Sequence, residues 1–182
     1  MDPVGIQLTA VKSKYSRKDN VVLSPQSENA AIEVHSYGKN AQIAGSSVND
    51  VINSYGYYHP VINSSDGDDE IFIHENGNSA KITPGQGNDK IYFSSSDMEI
   101  KYGYADDYDT IYGVNSDTTI NVKSNVFSTV SSGNDIVMQF DNGSIILVNT
   151  ANKSFNLISK EVSLLEKGDD VSYYYAGDKP LY

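Results

Sequence analysis

The sequence contains no cysteine and no tryptophan, and it has only 5 prolines among 182 residues. The lack of cysteine excludes disulfide bonds and any chemistry that depends on a thiolate. No segment approaches the roughly 20 consecutive apolar residues of a membrane-spanning helix. The first twenty residues also lack the apolar core of a signal peptide. We therefore expect no membrane insertion, and export either by another route or as part of a longer chain.

Positive charge is also scarce. The chain carries 13 Lys and Arg residues against 24 Asp and Glu residues, which gives a net charge of -11 and a pI near 4.5. Binding to nucleic acid depends on a cationic stripe that displaces counterions from the phosphates. The composition argues against nucleic acid as a partner and favours small cations. The length fits one acidic soluble domain.

Isoleucine recurs at steps of 18 to 20 residues in two interleaved series. The first series is Ile32, Ile52, Ile71, Ile91 and Ile111, and the second is Ile43, Ile62, Ile82, Ile100 and Ile120. Such a period is typical of a solenoid, in which each coil stacks its apolar side chains on those of the next. A meander of hairpins is the alternative. We predict an all-β, right-handed parallel β-solenoid of about five coils of 18–20 residues, with terminal β caps.

Aspartate occupies one turn of each predicted coil. It stands two residues before an isoleucine at Asp50, Asp69, Asp89 and Asp109. Stacked coils would align these residues in a column, with further acidic residues beside it at Asp66, Asp68, Asp106 and Asp107. Like charges at this spacing favour either protonation or a bound cation, and calcium accepts six to eight carboxylate and carbonyl oxygens. A role in shaping the turns is the alternative.

The segment "GQGNDKIYF", residues 85–93, resembles the G-G-x-G-x-D-x-U-x repeat of RTX proteins, the haemolysin-type calcium-binding repeats. Gly85 and Gly87 match the second and third glycines and Asp89 matches the aspartate, whereas Pro84 departs from the first glycine. The segments "SSDGDDEIF" and "YADDYDTIY" are degenerate copies. The resemblance implies metal ligands among Asp66, Gly67, Asp69, Gly85, Gly87, Asp89, Asp107 and Asp109.

The same resemblance implies a secreted or cell-surface protein that folds on calcium after export, similar to the repeat-and-cap ends of long bacterial adhesin-like surface proteins. In such β-rolls both rows of turns commonly bind calcium. Here the opposite row has Ala80, Met98 and Thr118 at the key position. At most one row of calcium ions is therefore expected, and folding of these degenerate repeats without calcium stays open.

We divide the chain into N-terminal cap strands (1–28), solenoid repeats (29–124) and a C-terminal capping hairpin with a tail (125–182). The stretch "SGNDIVMQFDNGSIILVN" predicts the hairpin, because a DNG turn separates two apolar segments. Residues 154–166 fit either an amphipathic helix or a pair of short strands. The edge offered by the neighbouring hairpin favours strands.

Tyrosine is abundant, with 14 residues. Clusters at Tyr55, Tyr57 and Tyr58 and at Tyr104 and Tyr108 are candidate ligand-binding residues, because tyrosine suits interfaces and the flat faces of sugars. Tyrosine also suits strand surfaces, which is the alternative explanation.

Together these patterns predict a non-catalytic module with a structural or adhesive role, whose partner is a host or bacterial surface protein or a glycan. The alternative is a carbohydrate-binding module that uses exposed tyrosines. A polysaccharide-cleaving β-helix enzyme would place two carboxylates in neighbouring coils. The short, regular turns argue against the cleft that such an enzyme requires, so we predict no enzymatic activity.

Overall fold

The computed structural model describes residues 4–8, 14–75, 77–103, 107–123, 128–140, 142–159 and 173–175. Within these ranges every regular element is a β-strand. The first nine strands are β1 (Val4–Leu8), β2 (Lys14–Ser16), β3 (Val21–Pro25), β4 (Glu33–Ser36), β5 (Gln42–Ala44), β6 (Val51–Ser54), β7 (Val61–Asn63), β8 (Glu70–Ile73) and β9 (Lys81–Thr83). The others are β10 (Lys90–Phe93), β11 (Glu99–Tyr102), β12 (Tyr108–Tyr112), β13 (Thr119–Val122), β14 (Ser128–Ser132), β15 (Asp135–Phe140), β16 (Gly143–Val148), β17 (Phe155–Ser159) and β18 (Tyr173–Tyr175).

The strands form two nine-stranded sheets, and successive strands of the repeat region alternate between them. One sheet has the order β1-β3-β5-β7-β9-β11-β13-β17-β18, and the other has the order β14-β15-β16-β12-β10-β8-β6-β4-β2. All pairings between coils are parallel. Each coil therefore contributes one strand to each sheet, which confirms the predicted parallel β-solenoid.

The two predicted ladders of isoleucine form the core between the sheets. Ile52, Ile71, Ile91 and Ile111 lie in register in one sheet, and Ile43, Ile62, Ile82, Ile100 and Ile120 lie in register in the other. All of them are buried. Parallel stacking places identical side chains one strand spacing apart, so each coil extends the apolar column of its neighbour.

The prediction for Ile32 is wrong by two residues. The residue that pairs with Ile52 is Val34. Ile32 instead lies at the position equivalent to Asp50 of the next coil, and its amide donates a hydrogen bond to the Asp50 side chain. The coil between Val34 and Ile52 is two residues shorter than the usual step of 20. A step of 20 residues back from Ile52 therefore leads to Ile32 and misses Val34, the true partner.

The predicted hairpin is confirmed: β15 and β16 pair antiparallel. β14 adds a further antiparallel strand, and β16 joins the solenoid by pairing parallel with β12. In residues 154–166 the structure shows a strand, β17, which continues the first sheet beside β13. The remainder of that segment, from residue 160, lies outside the described residues.

Three strands lie in the segment 1–28 and pair parallel with the coils that follow, β1 with β3, β3 with β5, and β2 with β4. In the described part of the chain no helix is long and apolar enough to cross a membrane.

Candidate functional site

The aspartates of the repeated turn form a buried column. Asp50, Asp69, Asp89 and Asp109 are each at most 1 % exposed. The Oδ1 atom of Asp69 accepts a hydrogen bond from the amide of Asp50 at 2.7 Å, and that of Asp89 accepts one from the amide of Asp69 at 2.8 Å. Asp109 does the same for the amide of Asp89 at 2.7 Å. Each carboxylate thus binds the backbone of the coil before it.

A second, exposed ladder runs beside the buried column and points the opposite way. Asn49 Oδ1 accepts a hydrogen bond from the amide of Asp68 at 2.9 Å, and Asp68 Oδ1 accepts one from the amide of Asn88 at 2.7 Å. Asn88 Oδ1 in turn accepts one from the amide of Tyr108 at 3.1 Å. These side chains line a shallow open groove of about 390 Å³. Each exposed side chain therefore binds the coil after it.

Glycine permits the close stacking of these turns. Gly67, Gly85 and Gly87 have φ values of 115°, 107° and 119°. Residues that carry a Cβ rarely adopt this backbone conformation. A Cβ atom at Gly85 would overlap the carbonyl oxygen of Ser65, and one at Gly87 would overlap that of Gly67. The turns also bond directly, since the Gly67 amide donates to the Gln86 carbonyl at 2.8 Å and the Gln86 amide donates to the Ser65 carbonyl at 3.0 Å.

This arrangement does not fit a calcium ion between the turns. Calcium requires six to eight oxygen ligands at about 2.3–2.6 Å. The Oδ1 atoms of the buried carboxyl groups already accept hydrogen bonds from backbone amides. The backbones of neighbouring turns are in direct contact, which leaves little space between them. Asp66 and Asp107 lie at the surface, and Asp68 is bonded to Asn88. Among the described residues no group of three or more histidine or acidic side chains is arranged to hold a metal ion.

The position of Asp69 in the column shifts its ionisation. Burial raises the pKa of the Asp69 carboxyl to about 8, although the hydrogen bond from the Asp50 amide opposes the shift. The neighbouring carboxyl groups of Asp89 and Asp50 raise the pKa, and the Ser64 hydroxyl lowers it. Desolvation therefore dominates, and Asp69 keeps its proton at neutral pH.

Outside the core, aromatic rings stack on the outer face of the second sheet. We call this surface the aromatic face and define it as Tyr15, His35, Tyr37, Tyr55, His74, Phe72, Tyr92 and Tyr112. Rings of neighbouring coils lie nearly parallel, with centroid distances of 4.6 Å for Tyr37 and Tyr55, 3.9 Å for Tyr55 and His74, and 4.5 Å for Tyr92 and Tyr112. Tyr15 and Tyr37 are exposed, and the other six rings are half-buried.

The predicted tyrosines fall into different environments. Tyr55 belongs to the aromatic face, where it stacks between Tyr37 and His74. Tyr57 and Tyr58 follow in the same connection between β6 and β7, 52 % and 53 % exposed, with their rings tilted by 40°. Tyr108 is 65 % exposed beside the acidic turns, and Tyr104 lies outside the described residues. The structure therefore does not join the predicted tyrosines into one site.

Sequence reasoning missed most of the aromatic face. Phe72, Tyr92 and Tyr112 each follow directly after a buried isoleucine of the first ladder. Because successive strand residues point to opposite faces, the residue after each inward isoleucine points outward. Applying the period of 20 to that position would have found this stack.

Comparison of the chain with protein-family models, with curated proteins and with solved structures finds no match.

Proposed function

We infer that the chain is a non-catalytic secreted or cell-surface module with a structural or adhesive role, which binds a protein surface through the aromatic face. The single observation that carries this proposal is that eight rings lie on one side of a regular, parallel sheet, in one stack of five rings and one stack of three. Tyrosine combines a large apolar ring with a hydrogen-bonding tip and loses little conformational entropy when it is immobilised. A rigid sheet holds such side chains ready for contact.

The way the rings stack favours protein over glycan as the partner of this face. A sugar ring packs against the open face of an aromatic ring. The faces of Tyr55 and Tyr92 are covered on both sides by rings at 3.9–4.8 Å. Edges and hydroxyl groups can still meet apolar and polar atoms of a protein surface.

The buried carboxylates support a non-catalytic role. A general acid or base needs access to its substrate, whereas Asp69, Asp89 and Asp109 are 0 % exposed. Their Oδ1 atoms bind backbone amides. Calcium forms no part of this proposal, because the turn residues do not fit it.

A second candidate function is glycan binding at the turn of Tyr57 and Tyr58. These rings are about half exposed, and a tilt of 40° at a centroid distance of 6.3 Å keeps them from covering each other. Open ring faces of this kind suit sugars. The observation favours a small glycan site that is separate from the aromatic face.

One experiment separates the two candidates. The immobilised chain is tested against a panel of extracellular matrix and bacterial surface proteins and against a glycan array. The double variant Tyr15→Ser/Tyr37→Ser changes two exposed rings of the aromatic face, and Tyr57→Ser/Tyr58→Ser is the matched control. Circular dichroism first establishes that both variants are folded.

We expect protein binding that falls at least about tenfold in Tyr15→Ser/Tyr37→Ser, the effect of losing one to two contact residues, and persists in the control. Glycan binding that is lost only in Tyr57→Ser/Tyr58→Ser would establish the second candidate instead. Protein binding that is equal in the parent and both variants would overturn the proposed role of the aromatic face.

A further inference from the structure

In the acidic turns, neighbouring coils are joined by hydrogen bonds of two kinds. Amides of the earlier coil donate to carboxyl groups of the later coil, and amides of the later coil donate to side chains of the earlier coil. Between the coils of Asp69 and Asp89, the Asp69 amide donates to the Asp89 carboxylate at 2.8 Å. At the same boundary the Asn88 amide donates to the Asp68 carboxylate at 2.7 Å, and the Lys90 amide donates to the Asp69 carbonyl at 2.9 Å. Buried and exposed side chains thus hold the two coils from opposite sides.

The need for these side chains follows from the backbone geometry of the turn. Where strands pair, backbone carbonyls accept the amide hydrogens of the neighbouring coil. The amides of Asp50, Asp69 and Asp89 lie just before the strands and have carboxylates as their acceptors. A buried amide without an acceptor would destabilise the fold. A short side chain with an oxygen at the Oδ1 position is therefore required here whether or not a metal is present.

The first member of the column shows the same role most completely. The carboxylate of Asp50 accepts hydrogen bonds from the amide of Ile32 at 2.7 Å, from the amide of Ser46 at 2.5 Å and from the hydroxyl of Ser46 at 2.9 Å. Its oxygens are occupied by protein donors alone. A carboxylate that accepts several backbone amides is stabilised without a cation.

We propose that the column of Asp50, Asp69, Asp89 and Asp109 is a metal-independent clasp, in which carboxyl oxygens bind the backbone of the preceding coil and allow the chain to fold without calcium. This role takes the place of the metal that the resemblance to RTX repeats implies. It depends only on the contacts within the turns and is independent of the proposed binding function.

The test is thermal unfolding of the full chain in EDTA and in about 5 mM calcium, a concentration that saturates sites of millimolar affinity. Three variants are compared with the parent. Asp89→Asn keeps an oxygen acceptor but loses the charge, and Asp89→Ala loses the acceptor. Asp66→Asn removes an exposed carboxylate of the equivalent turn in the preceding coil and is the matched control. Isothermal titration of the parent with calcium gives an independent readout.

We expect the parent, Asp89→Asn and Asp66→Asn to fold in EDTA, with midpoints that calcium does not raise and with no heat of binding. Asp89→Ala is expected to unfold several degrees lower in both solutions, because the Asp69 amide loses its acceptor. If Asp89→Ala does not fold at all, Asp89→Asn and the calcium titration still decide the matter.

Three outcomes would overturn the proposal. The first is a calcium-dependent rise in the midpoint of the parent, whose loss in Asp89→Asn would place the ion at the column. The second is failure of Asp89→Asn to fold, which would show that the charge is required. The third is an Asp89→Ala variant as stable as the parent, which would show that the clasp contributes nothing.

Discussion

The Asp50 amide donates a hydrogen bond to the carboxyl Oδ1 of Asp69 across a coil boundary, at 2.7 Å. The two residues are 19 positions apart in the chain and occupy the same place in successive coils. Both are buried, so the bond lies in a medium of low dielectric, where an unpaired partner would be costly. The acidic side of the solenoid is thereby held together by its own carboxyl groups.

The pH dependence of stability should reflect this burial. The pKa of Asp69 is about 8 in the folded chain against an ordinary value of 3.8, so the folded state retains a proton that the unfolded state releases. The free energy of unfolding that this group contributes is complete below pH 4, falls as the pH rises and is lost through pH 8. Its loss should amount to a few kcal/mol, since each pKa unit corresponds to about 1.4 kcal/mol.

The measurement is urea unfolding between pH 4 and pH 9 of the parent and of Asp69→Asn, which cannot ionise and should show a flatter profile. Asp68→Asn, an exposed neighbour, should retain the slope of the parent. Both variants keep the other titratable groups around Asp69. These are Asp50 and Asp89 in the column and Glu70 and Lys90 at the groove. An unaltered slope in Asp69→Asn would assign the pH dependence to other groups.

Replacement of Gly85 should be far more harmful than its half-buried position suggests. Gly85→Ala places a Cβ at a φ of 107° and against the Ser65 carbonyl, so the two stacked turns must separate. We expect a loss of at least about 2 kcal/mol, from backbone strain and the displaced turn together. Gly133→Ala is the control, because its φ is 65° but nothing lies within 4 Å of the added Cβ. Chemical denaturation of both variants measures the difference, and equal losses would refute the role of close stacking.

The outer stack should stabilise the solenoid through contacts between neighbouring coils. The rings of Tyr92 and Tyr112 lie 4.5 Å apart and within 9° of parallel. A double-mutant cycle with Tyr92→Ala and Tyr112→Ala should give a coupling energy of about 0.5–1.5 kcal/mol, the range of stacked aromatic pairs. Tyr92 and Tyr108, whose rings do not stack on each other, provide the control cycle. A coupling near zero for Tyr92 and Tyr112 would mean that their stacking adds nothing beyond burial.

The sequence was sufficient for the fold because the period and the chemistry of the core agree. A side chain such as Ile91 must be buried, and a repeat of 18 to 20 residues brings identical side chains together only if the coils stack. The hairpin of β15 and β16 was equally readable, since its turn residues have a local conformational preference. The position of Ile32 was not, because a shorter coil breaks the period there.

The site was less predictable. The pattern at Asp69, Asp89 and Asp109 correctly indicated that these aspartates align in one column. The sequence does not specify on which side of the turn a carboxylate lies. The direction of the hydrogen bonds, the overlap that glycine avoids at Gly85 and the burial of the column all depend on how coils contact each other.

The sequence by itself thus determined the β-solenoid, its two apolar ladders and the alignment of its aspartates, since periodic burial of apolar side chains depends on residue order alone. Only the tertiary structure decided that the carboxylates face inward onto backbone amides and that the rings of the aromatic face cover one another. Both relationships join residues about 20 positions apart, and the distance and orientation between such residues are set by the packing of one coil on the next.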